Sequence, residues 1–204
     1  MNTAYPELQQ AFDKMILSAS GWRKVFAQSG SENDGAPEIS APDRDIVFFA
    51  AQAFAEFLQA EFPAIRTVVI ARDSRPTGAA LLKEAVTAFA AASVITSSAE
   101  SIVTAAGNTS AVKSSAALAV QSVGIAAAPE IMAYARSAGA AFMYISASHN
   151  PIGHNGFKFG LDTGGVLDGS QSARLISLFT QKCAAAHRDT AAVLRKQAAP
   201  APVY

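Results

Sequence analysis

The residues best placed to do chemistry lie in Ser146-Ala147-Ser148-His149-Asn150-Pro151, followed by Asn155-Gly156-Phe157-Lys158. Ser148 comes just after the apolar run Ala141-Phe142-Met143-Tyr144-Ile145, which reads as a buried strand. A serine at the end of such a strand sits on a loop with exposed backbone amides, a place suited to phosphate. Asn150-Pro151 fixes the turn, because proline restricts both itself and the residue before it. Gly153 and Gly156 let backbone approach a ligand or take a positive φ. Lys158 lies on the returning segment, from which its ammonium can approach the Ser148 hydroxyl across the loop. A serine oxygen is a poor nucleophile until a nearby cation or base activates it.

Taken singly, these residues have ordinary explanations. A lone Ser-His pair is usually without chemical meaning, since neighbours on an extended chain point apart. Lys158 alone is a surface lysine, and Arg23 can stack on Trp22. The trio Arg72, Asp73 and Arg75 can be a loop salt bridge. His154 and His187 lie at no metal-type spacing. Cys183, on an apolar helix face, reads as core.

The elements that must position the serine loop follow from periodicity and punctuation. A short helix is expected over Tyr5 to Met15, then a loop and a strand through Val25-Phe26. The polar stretch from Gln28 to Pro42 reads as a surface excursion. A helix follows, capped by Asp43 or Asp45, with Val47, Phe54, Phe57 and Leu58 at helical spacing. Thr67 to Ala71 is a β-branched strand that runs into the polar loop Arg72 to Gly78. A helix from Ala79 to Ala91 carries Leu82, Val86 and Phe89 on one face. Residues 93–120 read as helical pieces or an inserted segment, with a turn at Gly107-Asn108. A strand from Gln121 to Ala127 and a helix from Pro129 to Arg136, stopped by Gly139, lead to the serine strand. Gly156 to Phe159 is a short strand and Ser170 to Ala186 a final helix. Strand, polar loop, helix is half of a βαβ unit, with ligands gathering at strand C-terminal ends. The expected fold is a three-layer α/β/α domain with a mixed, mostly parallel sheet over residues 1–190. Insertions are expected at 28–42 and 93–120, and a linker-like tail at 191–204.

Composition narrows the classes of function. Half of the 204 residues are hydrophobic, enough for a real core. Lys plus Arg and Asp plus Glu number 16 each, so charge gives no reason to expect nucleic acid or an anionic membrane as partner. The run Ile46 to Leu58 contains Gln52 and Glu56 and is too short to span a bilayer. No targeting pattern opens the chain. Cys183 is the single cysteine, so no intrachain disulfide forms. A soluble, cytoplasmic protein is expected.

Four ordered segments resemble the α-D-phosphohexomutase family, which includes phosphoglucomutases and phosphomannomutases. They are the serine loop, Asn155-Gly156-Phe157-Lys158, Ser20-Gly21-Trp22-Arg23, and Ala71-Arg72-Asp73-Ser74-Arg75-Pro76-Thr77-Gly78. Pro129 matches the family's Thr-Pro segment, although Ala128 replaces the threonine. The resemblance implies that Ser148 is phosphorylated and passes its phosphate to a hexose phosphate through a bisphosphorylated sugar. Arg23 and Lys158 would neutralise the phosphoryl charge, with Lys158 also moving the hydroxyl proton. His149 joins them as catalytic, and Asn150, Asn155 and Trp22 as substrate-binding. Arg72, Asp73 and Arg75 would brace the serine loop from behind.

The resemblance also implies Mg²⁺, held through the Ser148 phosphate and by an Asp-x-Asp-x-Asp-Arg loop from a second domain. No such run occurs in this sequence, where Asp162 and Asp168 stand apart. The other metal ligands and the sugar-reading parts are therefore expected from domains outside this sequence. Incomplete activity alone is expected, with those domains or self-association as partners. Two other functions compete. A serine hydrolase would need a Gly-x-Ser-x-Gly elbow, which is missing around Ser148. A non-catalytic module binding sugar phosphate or a protein would keep the cleft without turnover.

Overall fold

The computed structural model describes residues 4–99 and 118–197. Element order is α1 (Pro6–Asp13), β1 (Ile16–Ser18), β2 (Gly21–Val25), α2 (Ala41–Glu61), β3 (Thr67–Arg72) and α3 (Gly78–Ala99). It continues with β4 (Ala119–Ile125), α4 (Ala128–Ala138), β5 (Ala141–Ile145), β6 (His154–Gly160), α5 (Gly169–Ala185) and α6 (Thr190–Gln197). The strands form one six-stranded sheet in the order β1-β2-β6-β5-β3-β4.

The sheet is mixed, as expected, but it is not mostly parallel. β3 pairs in parallel with β4 and β5, while the other three pairings are antiparallel. Connection length is the reason. β1 and β2 are joined by a tight turn at Ala19-Ser20, and residues 146–153 join β5 to β6. A parallel pair needs a crossover of about a dozen residues or more.

Alternation along the strands splits the interior into two layers. Val68, Ile70, Met143, Ile145, Phe157, Phe159 and Trp22 face the larger core, shared with α1, α2, α3, α5 and α6. Val69, Ala71, Phe142 and Tyr144 face the opposite side, where Ile131 and Ala135 of α4 cover them. The molecule is thus a three-layer α/β/α domain. Aromatic packing fixes its far half: the Trp22 indole lies between Phe159 and Phe179, with ring centroids 4.8 Å away in each case. Burying each such ring contributes about 1.5–3 kcal/mol, so β2 and β6 are anchored firmly to α5.

Several local expectations are corrected. Ser40, rather than Asp43 or Asp45, caps α2, its hydroxyl accepting the Asp43 N–H at 3.2 Å. Asp43 instead pairs with the buried Lys24. α3 buries Leu81, Ala85, Ala88 and Phe89, leaving Leu82 and Val86 only partly covered. α3 continues to Ala99, and β4 begins at Ala119. Residues 100–117, with the Gly107-Asn108 turn, lie outside the described residues, as do 198–204.

The stretch expected to be a loose tail begins as α6. Ala191 is buried, and Arg195 binds Asp45 Oδ1 at 2.8 Å and Glu84 Oε2 at 2.9 Å. Arg44 reaches the other Glu84 oxygen at 3.0 Å, and the Tyr5 hydroxyl donates to Asp45 at 3.0 Å. Burial pushes the Asp45 carboxyl above the usual aspartate range, with Arg195 and Tyr5 acting against it. Burial and the Asp45 charge together push Tyr5 up to about 12. A charged helix therefore docks because its cation meets two buried carboxylates.

Candidate functional site

The cleft at the serine loop is built by the free half of one sheet face. Trp22 pairs with Phe157, and both point into the large core. By alternation Arg23, Gly156 and Lys158 point the other way, beyond the part of that face that α4 covers. Arg23 sits opposite Gly156, so Lys158 is its diagonal neighbour with no side chain between them. Two glycines make this possible. A Cβ on Gly156 would lie 2.0 Å from the Trp22 carbonyl oxygen. Gly21, at φ +142°, leaves room for the Lys158 stem, since a Cβ there would sit 3.2 Å from Lys158 Cγ.

The Gly156 contact is with backbone and cannot be relieved by a rotamer change. Gly156→Ala is expected to push β2 off β6 and destabilise the domain by about 1–3 kcal/mol or more. Denaturant melts read that loss. An unchanged midpoint would contradict the close pairing.

The cleft encloses about 170 Å³ and is lined by Ser20 to Arg23, Ser146 to Asn150, Phe157 and Lys158. Arg23, Ser148 and Lys158 therefore meet at one place. Among the described residues, no carboxylate lines it. Among the described residues, no hydrogen bond or ion pair engages the Arg23 or Lys158 side chain. Two cations bordering a cavity without a counter-ion form an electrostatic site for an anion.

The loop that presents Ser148 is tightly made. Ser148 and His149 are exposed, while Ser146 and Ala147 are buried. Ser148 has φ +55°, and it alone among the described non-glycine residues has a positive φ. Its N–H donates to Ser146 Oγ at 3.0 Å. The Asn150 amide donates to the Ala147 carbonyl at 2.6 Å, closing the turn. A non-glycine residue in this region is strained, and such strain gathers at functional sites.

Behind the loop, Arg75 donates to the carbonyl oxygens of Ser148 at 2.8 Å, Asn150 at 2.5 Å, Pro151 at 2.5 Å and His154 at 3.1 Å. Asp73 accepts from the Arg75 backbone at 3.0 Å and lies 3.3 Å from its Nε. Arg72 does not join them. Its guanidinium donates to the Asp73 carbonyl at 3.0 Å and its stem lies against Gly78.

Of the residues expected to touch substrate, Asn155 lies outside the cleft lining and Trp22 borders it with its ring turned away. Asn155 is fully buried: its amide donates to Thr77 Oγ1 at 3.0 Å and its oxygen accepts the Gly156 N–H at 2.9 Å. It clips β6 to the start of α3. The Trp22 indole is core, so Trp22 borders the cleft without offering its ring. The pleat explains both, because each shares the core face with Phe157. Arg23, on the opposite face, does not stack on that indole. Ser20 and Ser146 are not among the expected site residues, yet both line the cleft. Their presence in the two quoted motifs is the signal that could have found them.

The donor set does not by itself suit Mg²⁺, which prefers oxygen ligands and especially carboxylates. Arg23 and Lys158 would repel a cation, and the cleft offers no carboxylate. No group of three or more His, Cys, Asp or Glu that could hold a metal occurs among the described residues. Likewise, no described helix is long and apolar enough to cross a membrane.

Comparison with known proteins agrees with the α/β/α fold. Residues 103–185 match the family model "Phosphoglucomutase/phosphomannomutase, alpha/beta/alpha domain I". No curated protein matches the chain. Among solved structures, a candidate phosphomannomutase from Thermus thermophilus is similar at TM-score 0.56 and 19% identity, covering 81% of this chain and 30% of its own. A phosphoglucomutase/phosphomannomutase family protein from Burkholderia thailandensis has TM-score 0.48 and 21% identity, covering 84% of this chain and 32% of its own. The chain thus spans about a third of the length of these structures. The serine loop, β6 and α5 all lie inside the matched segment, so this part of the chain is similar to domain I of the phosphoglucomutase/phosphomannomutase family.

Proposed function

We propose that this chain is the phosphoserine domain of a phosphohexose mutase, with Ser148 as the residue that carries the phosphoryl group. The observation behind this reading is the convergence of Arg23, Ser148 and Lys158 on one carboxylate-free cleft. In one half-reaction the Oγ–P bond of phosphorylated Ser148 breaks as a bond forms from phosphorus to a sugar hydroxyl oxygen. The hydroxyl proton leaves the sugar, and Ser148 is released as a hydroxyl. The reverse step returns the other phosphate of the bisphosphorylated sugar to Ser148, whose own proton departs. Lys158 is the group proposed to relay it. Arg23 and Lys158 stabilise the charge on the transferring oxygens, the main contribution a protein makes to such transfers. His149 and Asn150 shape the loop around the sugar phosphate. The substrate class is a hexose phosphate, in a cytoplasmic setting. Further domains complete the turnover and provide the carboxylates for Mg²⁺ that this cleft does not.

A second reading, a module that binds sugar phosphate without transfer, is favoured by that same lack of carboxylates. A hydrolase is disfavoured, because no aspartate lines the cleft to orient His149. Single-turnover incubation with glucose 1,6-bisphosphate in magnesium buffer separates the readings by intact mass and peptide mapping. One phosphate on Ser148 is expected. Thermal stabilisation by the sugar with no covalent phosphate would support the binding module instead.

A further inference from the structure

We propose that Arg75 is the positioning residue that holds Ser148 in its left-handed conformation, by gathering four carbonyl oxygens of the serine loop onto one guanidinium. The proposal deepens the phosphoryl-transfer reading and rests on it for its catalytic consequence.

Nη2 of Arg75 takes the carbonyls of Ser148 and Asn150, and Nη1 takes those of Pro151 and His154. Its Nε faces Asp73 Oδ2 at 3.3 Å, so every guanidinium nitrogen is engaged. The Asp73 N–H in turn donates to the Ile145 carbonyl at 3.0 Å, tying the clamp to the end of the serine strand. The clamp therefore links the loop after β3 to the loop after β5. Four carbonyl dipoles converging on one point repel each other unless a cation sits between them. A planar guanidinium with a fixed fork fits this arrangement, and a lysine ammonium with three donors does not.

A left-handed serine is disfavoured by its Cβ and persists only where its surroundings enforce it. The Ser146 hydroxyl holds the Ser148 N–H, and Arg75 holds its carbonyl. Both ends of the strained residue are thus fixed. Arg75 does not line the cleft, so the oxygens it binds are engaged away from a phosphate there. Released, those negative dipoles would be free to face the phosphoryl group.

The test uses the full chain, isotopically labelled, with Arg75→Lys and Asp73→Asn. The one-bond Cα–Hα coupling and the Cβ shift of Ser148 report the sign of φ. Unchanged β5 and β6 amide shifts show that the sheet is intact. Arg75→Lys is expected to lose the positive-φ signature and weaken inorganic phosphate binding, read at His149, by about tenfold or more. Asp73→Asn should move both readouts the same way by less. A positive φ retained at Ser148 in Arg75→Lys overturns the proposal; if that variant does not fold, retention in Asp73→Asn does so. If the signature is lost as expected but even the wild type binds no phosphate, the positioning role stands and the phosphoryl-transfer reading falls.

Discussion

Ser148→Ala is expected to abolish acceptance of phosphate from glucose 1,6-bisphosphate while leaving the fold as it is. The hydroxyl is exposed and the substitution removes one oxygen. The Ser148 N–H and carbonyl keep their bonds to Ser146 and Arg75. Alanine meets the same left-handed strain as serine, so the melting temperature should change by no more than about a few degrees. The chemical effect should be total, because among the described residues no other hydroxyl is placed to substitute. Ser146 lines the same cleft but is buried, with its oxygen accepting from Ser148. Ser20 lies across the cleft on the turn before β2. Intact mass with peptide mapping reads the outcome. Phosphate appearing on the Ser148→Ala chain at Ser20 or Ser146 would remove Ser148 from its assigned role.

Lys158→Met and Arg23→Met are each expected to slow that transfer by about a hundred- to a thousandfold. Among the described residues these cations line the cleft with no carboxylate beside them, so each is available to an anion rather than committed to an internal partner. Their loss also removes little packing, since both stand on the uncovered part of the sheet. Arg23→Lys should recover only part of the rate, because an ammonium cannot present the paired donors of a guanidinium. The double variant should lose less than the product of the single effects if, as proposed, both groups meet the same phosphoryl oxygens. Rapid-quench single-turnover rates test this. Rates within about twofold of wild type for both single variants would show that neither cation contacts the phosphate.

Much of the frame could be read from the chain because its strongest signals are local. The β-branched run ending at Ala71 and the run Ala141 to Ile145 are strands as expected, and Gly139 ends α4 at φ +59°. Helix faces were harder to read where alanine does the packing. Ala85 and Ala88 of α3 are fully buried, yet small side chains give little periodic contrast against Leu82 and Val86. α2 shows no single apolar stripe because sheet, α1, α3 and α5 surround it. The α6 segment looked like a loose end because its polar residues count against burial. Its docking depends on Arg195 reaching Asp45 and Glu84, which are distant in sequence.

The site shows the same division. The serine loop, Arg23 and Lys158 were legible as ordered motifs, and the sheet register brings them together. Trp22 and Asn155 belong to those motifs but point into the core, since adjacency in sequence does not say which side of the pleat a residue occupies. The four-carbonyl grip of Arg75 depends on loop geometry that no spacing encodes.

The most direct measurement is an experimental structure of the chain with orthophosphate bound or with Ser148 phosphorylated. The account predicts phosphate oxygens within hydrogen-bond reach of both the Arg23 guanidinium and the Lys158 ammonium, beside a Ser148 still at positive φ. Phosphate settling elsewhere, or either cation turned away from it, would contradict the account.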